Sequence, residues 1–214
     1  ETTTLGWIRF MSSHPKDVPE DLIELIAEND RLCNHIHLAV QHGSDKILNR
    51  MNRRYTRSEF ITLSKKMKNS IPDISITTDL LIGFPGETLE DLELTKDLMK
   101  EIKFNDAFTY YYNPREGTKA FNFTDNIEDK EKLKRLNEII EMQREISSDL
   151  KMNRVGQRVK VLVESVSRKN SEELLARTEK NEMVVFPGDS ELIGTFQNIQ
   201  LISLGGNTFK GSIV

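Results

Sequence analysis

Residues 75–88 constrain the fold more than any other segment, and they read Ser-Ile-Thr-Thr-Asp-Leu-Leu-Ile-Gly-Phe-Pro-Gly-Glu-Thr. The first half is apolar and β-branched, which predicts a buried strand. Gly83 and Gly86 predict a turn in which the backbone takes unusual angles or a ligand comes close. Thr88 and Asp91 have the spacing of a capping box, which predicts that a helix begins there. In α/β folds such a turn binds small polar ligands, although the glycines suit a plain tight turn equally well.

The same alternation of strand and helix extends through residues 1–153. The predicted strands are residues 6–11, 35–40, 74–82 and 107–112, and a long helix over residues 128–153 follows the last of them. Strands that alternate with helices favour a parallel sheet with crossover connections. A whole TIM-like (β/α) barrel needs about 250 residues, so about four βα units make a partial barrel or a small open sheet.

The pattern changes after Gly156, where short alternating segments replace the helices. The predicted strands there are residues 158–166, 174–178, 183–186, 196–202 and 208–214. Five short strands punctuated by glycines favour a small closed β-barrel similar to an OB-fold. We therefore predict an α/β class fold with two domains, residues 1–153 and residues 154–214.

The chain of 214 residues carries a net charge of −4 at pH 7 and one cysteine, Cys33. One thiol excludes an intrachain disulfide and cannot by itself hold an iron–sulfur cluster or a structural zinc ion. The single cysteine and the lack of a long apolar run favour a cytoplasmic protein with no membrane contact. The first residue is Glu1 rather than methionine, which favours a fragment or a processed chain.

Polar residues collect in the loops that follow the predicted strands. They are Ser12, Ser13 and His14, then Gln41, Ser44 and Asp45, then Asp79, Gly83, Gly86 and Glu87, and finally Asn113, Arg115 and Thr118. In a βα-barrel these loops line the active face. Hydrogen-bonding groups without a strong nucleophile favour a binding face for a polar cofactor. Asp79 and Glu87 are consistent with an acid/base pair and equally with ordinary turn and capping carboxylates.

Two other groups of residues could carry function. His35 and His37 share one face of a strand, but a metal ion needs more ligands, so a packed or hydrogen-bonded role is favoured and we predict no metal site. Basic residues of the second domain lie near three phenylalanines in the sequence; they are Arg168, Lys169, Arg177 and Lys180, beside Phe186, Phe196 and Phe209. This combination is typical of single-stranded nucleic-acid binding, and also of a charged surface over an aromatic core.

Several segments, in order along the chain, resemble the radical-SAM methylthiotransferases. They are residues 35–45 (HIHLAVQHGSD), 51–56 (MNRRYT), 78–88 (TDLLIGFPGET) and 115–120 (REGTKA). The tail, with SRK at residues 167–169 and RTEKN at residues 177–181, resembles the TRAM domain of the tRNA-modifying branch. The resemblance covers nearly the whole chain.

The resemblance implies methylthiolation of an N6-isopentenyl-type adenosine next to the tRNA anticodon. It implies S-adenosylmethionine and two [4Fe–4S] clusters as cofactors, a tRNA anticodon stem-loop as partner, and a monomeric parent enzyme. The implied cofactor-binding residues are Gln41, Ser44, Asp79, Gly83, Gly86, Glu87 and Arg115. The implied RNA-binding residues are Arg168, Lys169, Arg177 and Lys180.

The sequence departs from the family pattern in two ways. Ala39 and His42 stand where the family usually has proline and serine. The cluster-binding cysteines are absent, so the chain resembles the C-terminal part of such an enzyme, and we expect it to be inactive alone. Three alternatives stay open: a non-catalytic RNA-binding module, a methylthiotransferase acting on a ribosomal protein or another modified adenosine, and an aldolase-like barrel enzyme. The last is disfavoured because no lysine base or metal set follows the strands.

Overall fold

The computed structural model describes residues 6–10 and 14–214. The α-helices are α1 (Glu20–Glu28), α2 (Asp45–Arg50), α3 (Arg57–Ser70), α4 (Leu89–Ile102) and α5 (Asp129–Met152). The strands are β1 (His35–His37), β2 (Ser75–Ile82), β3 (Asp106–Tyr111), β4 (Arg158–Val166), β5 (Glu173–Thr178), β6 (Met183–Pro187), β7 (Phe196–Gly205) and β8 (Thr208–Ile213). Single turns of 3₁₀ helix lie at Pro15–Asp17, Lys119–Asn122 and Ser190–Leu192.

The first half is a parallel sheet in the order β1-β2-β3, which confirms the predicted partial α/β barrel. The prediction of a strand over residues 6–11 was wrong in extent. Within the described part of that segment, Ile8 makes only an isolated parallel bridge to Leu32. The partner residue Leu32 precedes β1, which begins at His35, and the neighbouring Arg9 reaches the second half of the chain, where its guanidinium donates to the carbonyl of Thr178. Met11 and the predicted site residues Ser12 and Ser13 lie outside the described residues.

Both predicted capping boxes are present, and they fix where α3 and α4 begin. The hydroxyl of Thr56 accepts from the amide of Glu59 at 3.2 Å, and the Thr56 amide donates to the Glu59 carboxylate at 2.7 Å. Thr88 and Asp91 exchange the same pair of bonds at 3.3 and 2.9 Å. A cap of this kind stabilises a helix by about 1 kcal/mol, so the turn after β2 ends at a fixed residue, Thr88, where α4 begins.

Strand β2 separates an apolar face from a polar face because successive side chains alternate. Ile76, Leu80 and Ile82 are fully buried in the core beneath the helices. Thr77 and Asp79 point the other way, into the concave side of the sheet. The helices therefore cover one face of the sheet, and a polar surface occupies the other.

The second half is a closed five-stranded barrel in the order β4-β5-β6-β8-β7, as predicted. Its core contains nine fully buried residues, among them Phe186 and Phe209. Helix α5 packs against β3, and its Gln143 side chain donates to the carbonyl of Phe104, just before that strand, at 2.8 Å. The helix ends at Met152, and the first strand of the barrel follows at Arg158. The predicted boundary between residues 153 and 154 follows the end of α5, and the division into two domains stays a prediction.

Candidate cofactor site and nucleic-acid interface

A cavity of about 350 Å³ lies between the polar face of the sheet and the small barrel. Its lining comes from all three strands of the sheet, from α5 and from the β5–β6 turn: His35, His37, Ser75, Thr77, Asp79, Asn105, Asp106, Phe108, Tyr110, Lys151, Lys180, Asn181 and Glu182. Volumes of this size accommodate small-molecule ligands, and a few convergent polar groups give them orientation. The concave face of the sheet is therefore the candidate binding site.

A row of hydrogen-bonded side chains runs along this face. The hydroxyl of Thr77 lies 3.2 Å from Nε2 of His35 and 3.1 Å from Nδ1 of His37. Nε2 of His37 lies 3.4 Å from a carboxylate oxygen of Asp79, and the same oxygen accepts a hydrogen bond from the side-chain amide of Gln41 at 3.5 Å. The row links the amino-terminal end of the strands to their carboxyl-terminal end, where ligands bind in parallel α/β folds.

His35 is the buried end of the row. It is 2% exposed, and within the described residues its Nδ1 has no hydrogen-bond partner. Burial lowers the pKa of His35 to about 4, and the nearby charges of Arg9 and His37 act in the same direction. His35 is therefore neutral at pH 7 and serves as a hydrogen-bonding group.

The described residues offer no ligand set for a metal ion or an iron–sulfur cluster. They contain no group of three or more His, Cys, Asp or Glu side chains arranged to hold a metal. Cys33 is buried, and burial raises the pKa of its thiol. A cluster held by several thiolates does not fit a chain with one cysteine, so its ligands would have to lie outside this chain.

Gln41 and Asp79 come together at the carboxyl-terminal end of the sheet. The main-chain amide of Gln41 donates to the main-chain carbonyl of Asp79 at 2.8 Å, and the main-chain carbonyl of Gln41 accepts from the amide of Leu81 at the same distance. Gln41 has a φ of 69° and makes an isolated parallel bridge to Leu80 of β2. These two predicted cofactor residues remain partly exposed, with polar atoms available to a ligand.

Ser44 and Glu87 lie beneath the turn, away from the cavity. The Ser44 hydroxyl donates to the Asp91 carboxylate at 2.6 Å, and Ser44 is 1% exposed. The Glu87 carboxylate accepts from the Gly83 amide at 2.7 Å and pairs with Arg135 at 3.0 Å. The structure therefore joins these predicted site residues to protein partners and does not bring their side chains to Gln41 and Asp79.

Hydrogen bonds control the charge of Asp91 at the base of this turn. Burial alone would raise its pKa, but bonds from Lys46, Ser44 and Thr88 outweigh burial and hold the pKa of Asp91 well below its usual range. Asp91 therefore stays ionised while it caps α4 and accepts a hydrogen bond from the Ser44 hydroxyl.

The two glycines of the turn have different surroundings. Gly83 has a φ of 72°, and a Cβ atom there would lie 2.6 Å from Cγ of Lys132. Gly86 has a φ of 84°, its amide donates to Asn126 at 3.2 Å, and a Cβ atom would lie 3.3 Å from Nε of Arg50. Both positions need glycine for the backbone, and Gly83 also needs it because α5 packs closely over the turn.

The sequence prediction missed the aromatic wall of the cavity. Phe108 and Tyr110 on β3 line the cavity and are 56% and 54% exposed. The alternation of Asp106, Phe108 and Tyr110 along β3 is the signal that could have placed them on the concave face. Arg115 is exposed in the loop after β3, where its carbonyl accepts from the Thr118 hydroxyl at 2.8 Å.

The four predicted RNA-binding residues fall into two groups. Arg168 and Lys169 are exposed in the loop between β4 and β5. Arg177 forms a two-bond ion pair with Glu164 at 2.8 and 3.2 Å. Lys180 is 4% exposed and pairs with Asp73. The first pair presents charge to solvent, while the other two cations already have carboxylate partners.

The phenylalanines near these cations do not form an exposed stacking surface. Phe186 and Phe209 are fully buried in the barrel core. Phe196 packs edge to face against Trp7 at a ring distance of 4.9 Å, and Nζ of Lys160 lies 4.5 Å from its centre. The aromatic residues therefore serve packing, and any RNA contact of the barrel falls to its charged loops.

Family models match both halves of the chain. The Radical SAM superfamily model matches residues 3–99, and the TRAM domain model matches residues 153–214. The structure of coproporphyrinogen III oxidase from Escherichia coli, described as a radical SAM enzyme, matches with a TM-score of 0.54 at 20% identity, over 65% of this chain and 32% of that one. The likeness to that structure concerns the fold, and the two family models assign a radical SAM segment and a TRAM domain to the chain.

Curated relatives place it more narrowly. A tRNA-2-methylthio-N(6)-dimethylallyladenosine synthase from Treponema denticola is 49% identical over 100% of this chain and 48% of its own length. A Treponema pallidum protein of the same name is 49% identical over 98% of this chain and 46% of its own. The chain belongs to this radical-SAM methylthiotransferase family, matches the C-terminal part of its relatives, and spans about half their length.

Among the described residues, none of the helices has the length and apolar character needed to cross a membrane.

Proposed function

We propose that this chain is the C-terminal part of an enzyme that adds a methylthio group to an N6-isopentenyl-type adenosine in tRNA. The observation that carries the proposal is the match along the whole chain to relatives with that name. The chain contributes one wall of the cofactor site and the barrel that binds the tRNA. We infer further that the whole enzyme works as a cytoplasmic monomer.

When bound, S-adenosylmethionine would supply radical chemistry at an unactivated C–H bond, together with a cluster whose ligands would lie outside this chain. In this chain, Gln41 and Asp79 bind polar groups of the cofactor at the carboxyl-terminal end of the sheet. Arg115 contributes from the loop after β3. Phe108 and Tyr110 give the cavity an apolar wall that keeps water from the bound groups.

The remaining predicted cofactor residues act indirectly. Gly83 and Gly86 set the backbone of the turn that borders the pocket. Glu87 holds that turn through the Gly83 amide, and Ser44 holds Asp91 at the start of α4. Rigid support of this kind keeps binding groups in place without touching the ligand.

The barrel binds the tRNA anticodon stem-loop through phosphate contacts. Arg168 and Lys169 are exposed and side by side, as phosphate-binding cations need to be. Arg177 also contacts the RNA once its ion pair with Glu164 is replaced by an ion pair with a phosphate group. A small number of such cations suffices for local binding although the whole chain is acidic.

The test is fluorescence anisotropy of a labelled anticodon stem-loop that carries the isopentenyl group. The double variant R168A/K169A removes two phosphate contacts, so the slope of log affinity against log salt decreases by about 2 and affinity decreases about tenfold. The control variant K130A/K134A removes the same charge from exposed positions near the start of α5 and leaves the slope unchanged. Equal losses in the two variants, or no binding at all, would contradict the proposed RNA surface.

A further inference from the structure

We infer that residues 178–182, the turn between β5 and β6, are a docking element that fixes the small barrel to the base of the sheet. Lys180 is its positioning residue. The docking contacts lie entirely within this chain and do not depend on the reaction proposed above. They give Lys180 a role that differs from the RNA contact implied by the family resemblance.

The turn is built to hold one shape. The amide of Thr178 donates to the carbonyl of Glu182 at 3.0 Å, and the amide of Asn181 donates to the carbonyl of Thr178 at 3.1 Å. The Thr178 hydroxyl also donates to the Glu182 carboxylate at 3.1 Å, and Asn181 accepts from Arg177 at 3.1 Å. A turn with this many internal bonds presents its outer side chains in fixed positions.

The turn bonds to the first half of the chain at two places and to the segment that joins α5 to β4 at a third. Lys180 pairs with Asp73 in the loop before β2, and Glu182 pairs with Arg154 just after α5. The guanidinium of Arg9 donates to the Thr178 carbonyl at 2.9 Å. The Lys180 and Glu182 side chains are 4% and 6% exposed, so both ion pairs are shielded on the barrel side.

Two further contacts hold the barrel on other sides. Lys151 at the end of α5 donates to Asn207 in the turn between β7 and β8, and burial lowers the pKa of Lys151. Trp7 packs against Phe196, as described above. Contacts from three segments of the first half thus prevent the barrel from rotating about its connection to α5.

The same turn forms the floor of the cavity, because Lys180 and Asn181 line it together with His35. Strand β5 connects this floor to the loop that carries Arg168 and Lys169. It has six residues, which span about 20 Å in a strand. Docking of the turn therefore sets the distance between the exposed cations and the cavity.

The experiment compares Lys180→Asp, Asp73→Lys and the charge-swapped double variant of the full chain. Trypsin cleavage after Arg154 is followed by mass spectrometry, because that bond lies beside the docked turn. Each single variant should be cleaved about tenfold faster, since each places two like charges together at the docked turn, and the swap should return the rate to within about threefold of wild type. Lys169→Asp, at an exposed position, serves as the control and leaves the rate unchanged.

Lys180→Met, tested for tRNA binding, separates docking from RNA contact. Docking predicts an unchanged salt slope with faster cleavage after Arg154. A slope lowered by about 1 with unchanged cleavage would overturn the inference, since it would mark a phosphate contact. Unchanged cleavage in both single variants would overturn it as well. Should the wild-type chain bind no tRNA, the proposed RNA surface fails, and the cleavage rates still decide the docking inference.

Discussion

The Nε2 atom of His42 lies 3.1 Å from a carboxylate oxygen of Glu87, and both side chains are fully inaccessible to solvent. That oxygen also accepts a hydrogen bond from the Gly83 amide, and the other carboxylate oxygen of Glu87 forms an ion pair with Arg135. One buried carboxylate therefore joins the loop after β1, the turn after β2 and helix α5. Position 42, where the sequence departs from the pattern that the family resemblance implies, therefore lies in the interior beneath the pocket.

Replacing Glu87 with glutamine should cost about 2 kcal/mol of unfolding free energy, because Arg135 loses the fully buried one of its two carboxylate partners and keeps only Glu131. Urea denaturation followed by circular dichroism measures the change. Glu116→Gln removes the same charge at an exposed loop position and should change stability by less than about 0.5 kcal/mol. A loss of similar size in both variants would show that Glu87 does not hold the turn.

Gly83→Ala should destabilise the chain by about 2–4 kcal/mol, because the new methyl group meets Lys132 in addition to the strain of a positive φ. Gly117 has a φ of 82°, and among the described residues no neighbouring atom lies within 4 Å of the position that a methyl group would take there. Gly117→Ala therefore reports the backbone strain alone, about 1 kcal/mol. Thermal unfolding of the two variants measures the difference, and equal melting temperatures would contradict the close packing of α5 on the turn.

The stability of the chain should fall as the pH is lowered from 6.5 toward 4. The folded-state pKa of His35, about 4, is lower than the ordinary value of 6.5. Between these values the unfolded chain binds a proton that the folded chain excludes, so acid favours unfolding, by at most about 3 kcal/mol. The variant His35→Gln lacks this group and should show a flatter pH profile over the same window. Parallel profiles, measured by urea denaturation at each pH, would disprove a neutral buried His35.

Asp79→Asn should raise the KM for S-adenosylmethionine about tenfold, because a charge-assisted hydrogen bond is worth about 1.5–3 kcal/mol. The assay uses a hybrid enzyme that joins the upstream half of the Treponema denticola relative to this chain. Asp106→Asn changes a carboxylate at the opposite end of the same cavity and should leave this KM unchanged. If the two variants raise KM equally, the cofactor does not bind at the carboxyl-terminal end of the sheet.

Local sequence patterns predicted much of the fold. The capping boxes begin α3 and α4 as expected, and the valines at alternate positions of β4 face the barrel core. These features depend on residues a few positions apart. The segment around Ile8 forms a single bridge rather than a strand, and its neighbour Arg9 bonds to the barrel, a partner 169 positions away in the sequence.

The site could be predicted less completely for the same reason. Asp79 faces the concave side from within β2, and Gln41, in the loop after β1, donates to its carboxylate. The burial of Ser44 and Lys180 depends on Asp91 and Asp73, and no spacing rule indicates those pairings. Resemblance to a family identifies residues that matter, but it does not tell whether their side chains face a ligand or another part of the chain.

The most direct test of the central proposal is mass spectrometry of nucleosides from isopentenylated tRNA after incubation with the hybrid enzyme, its clusters reconstituted, and S-adenosylmethionine. The Treponema denticola enzyme serves as the positive control. We predict that the hybrid forms the 2-methylthio nucleoside. A hybrid that cleaves S-adenosylmethionine but leaves the tRNA unmodified would contradict the assignment of this chain to tRNA methylthiolation.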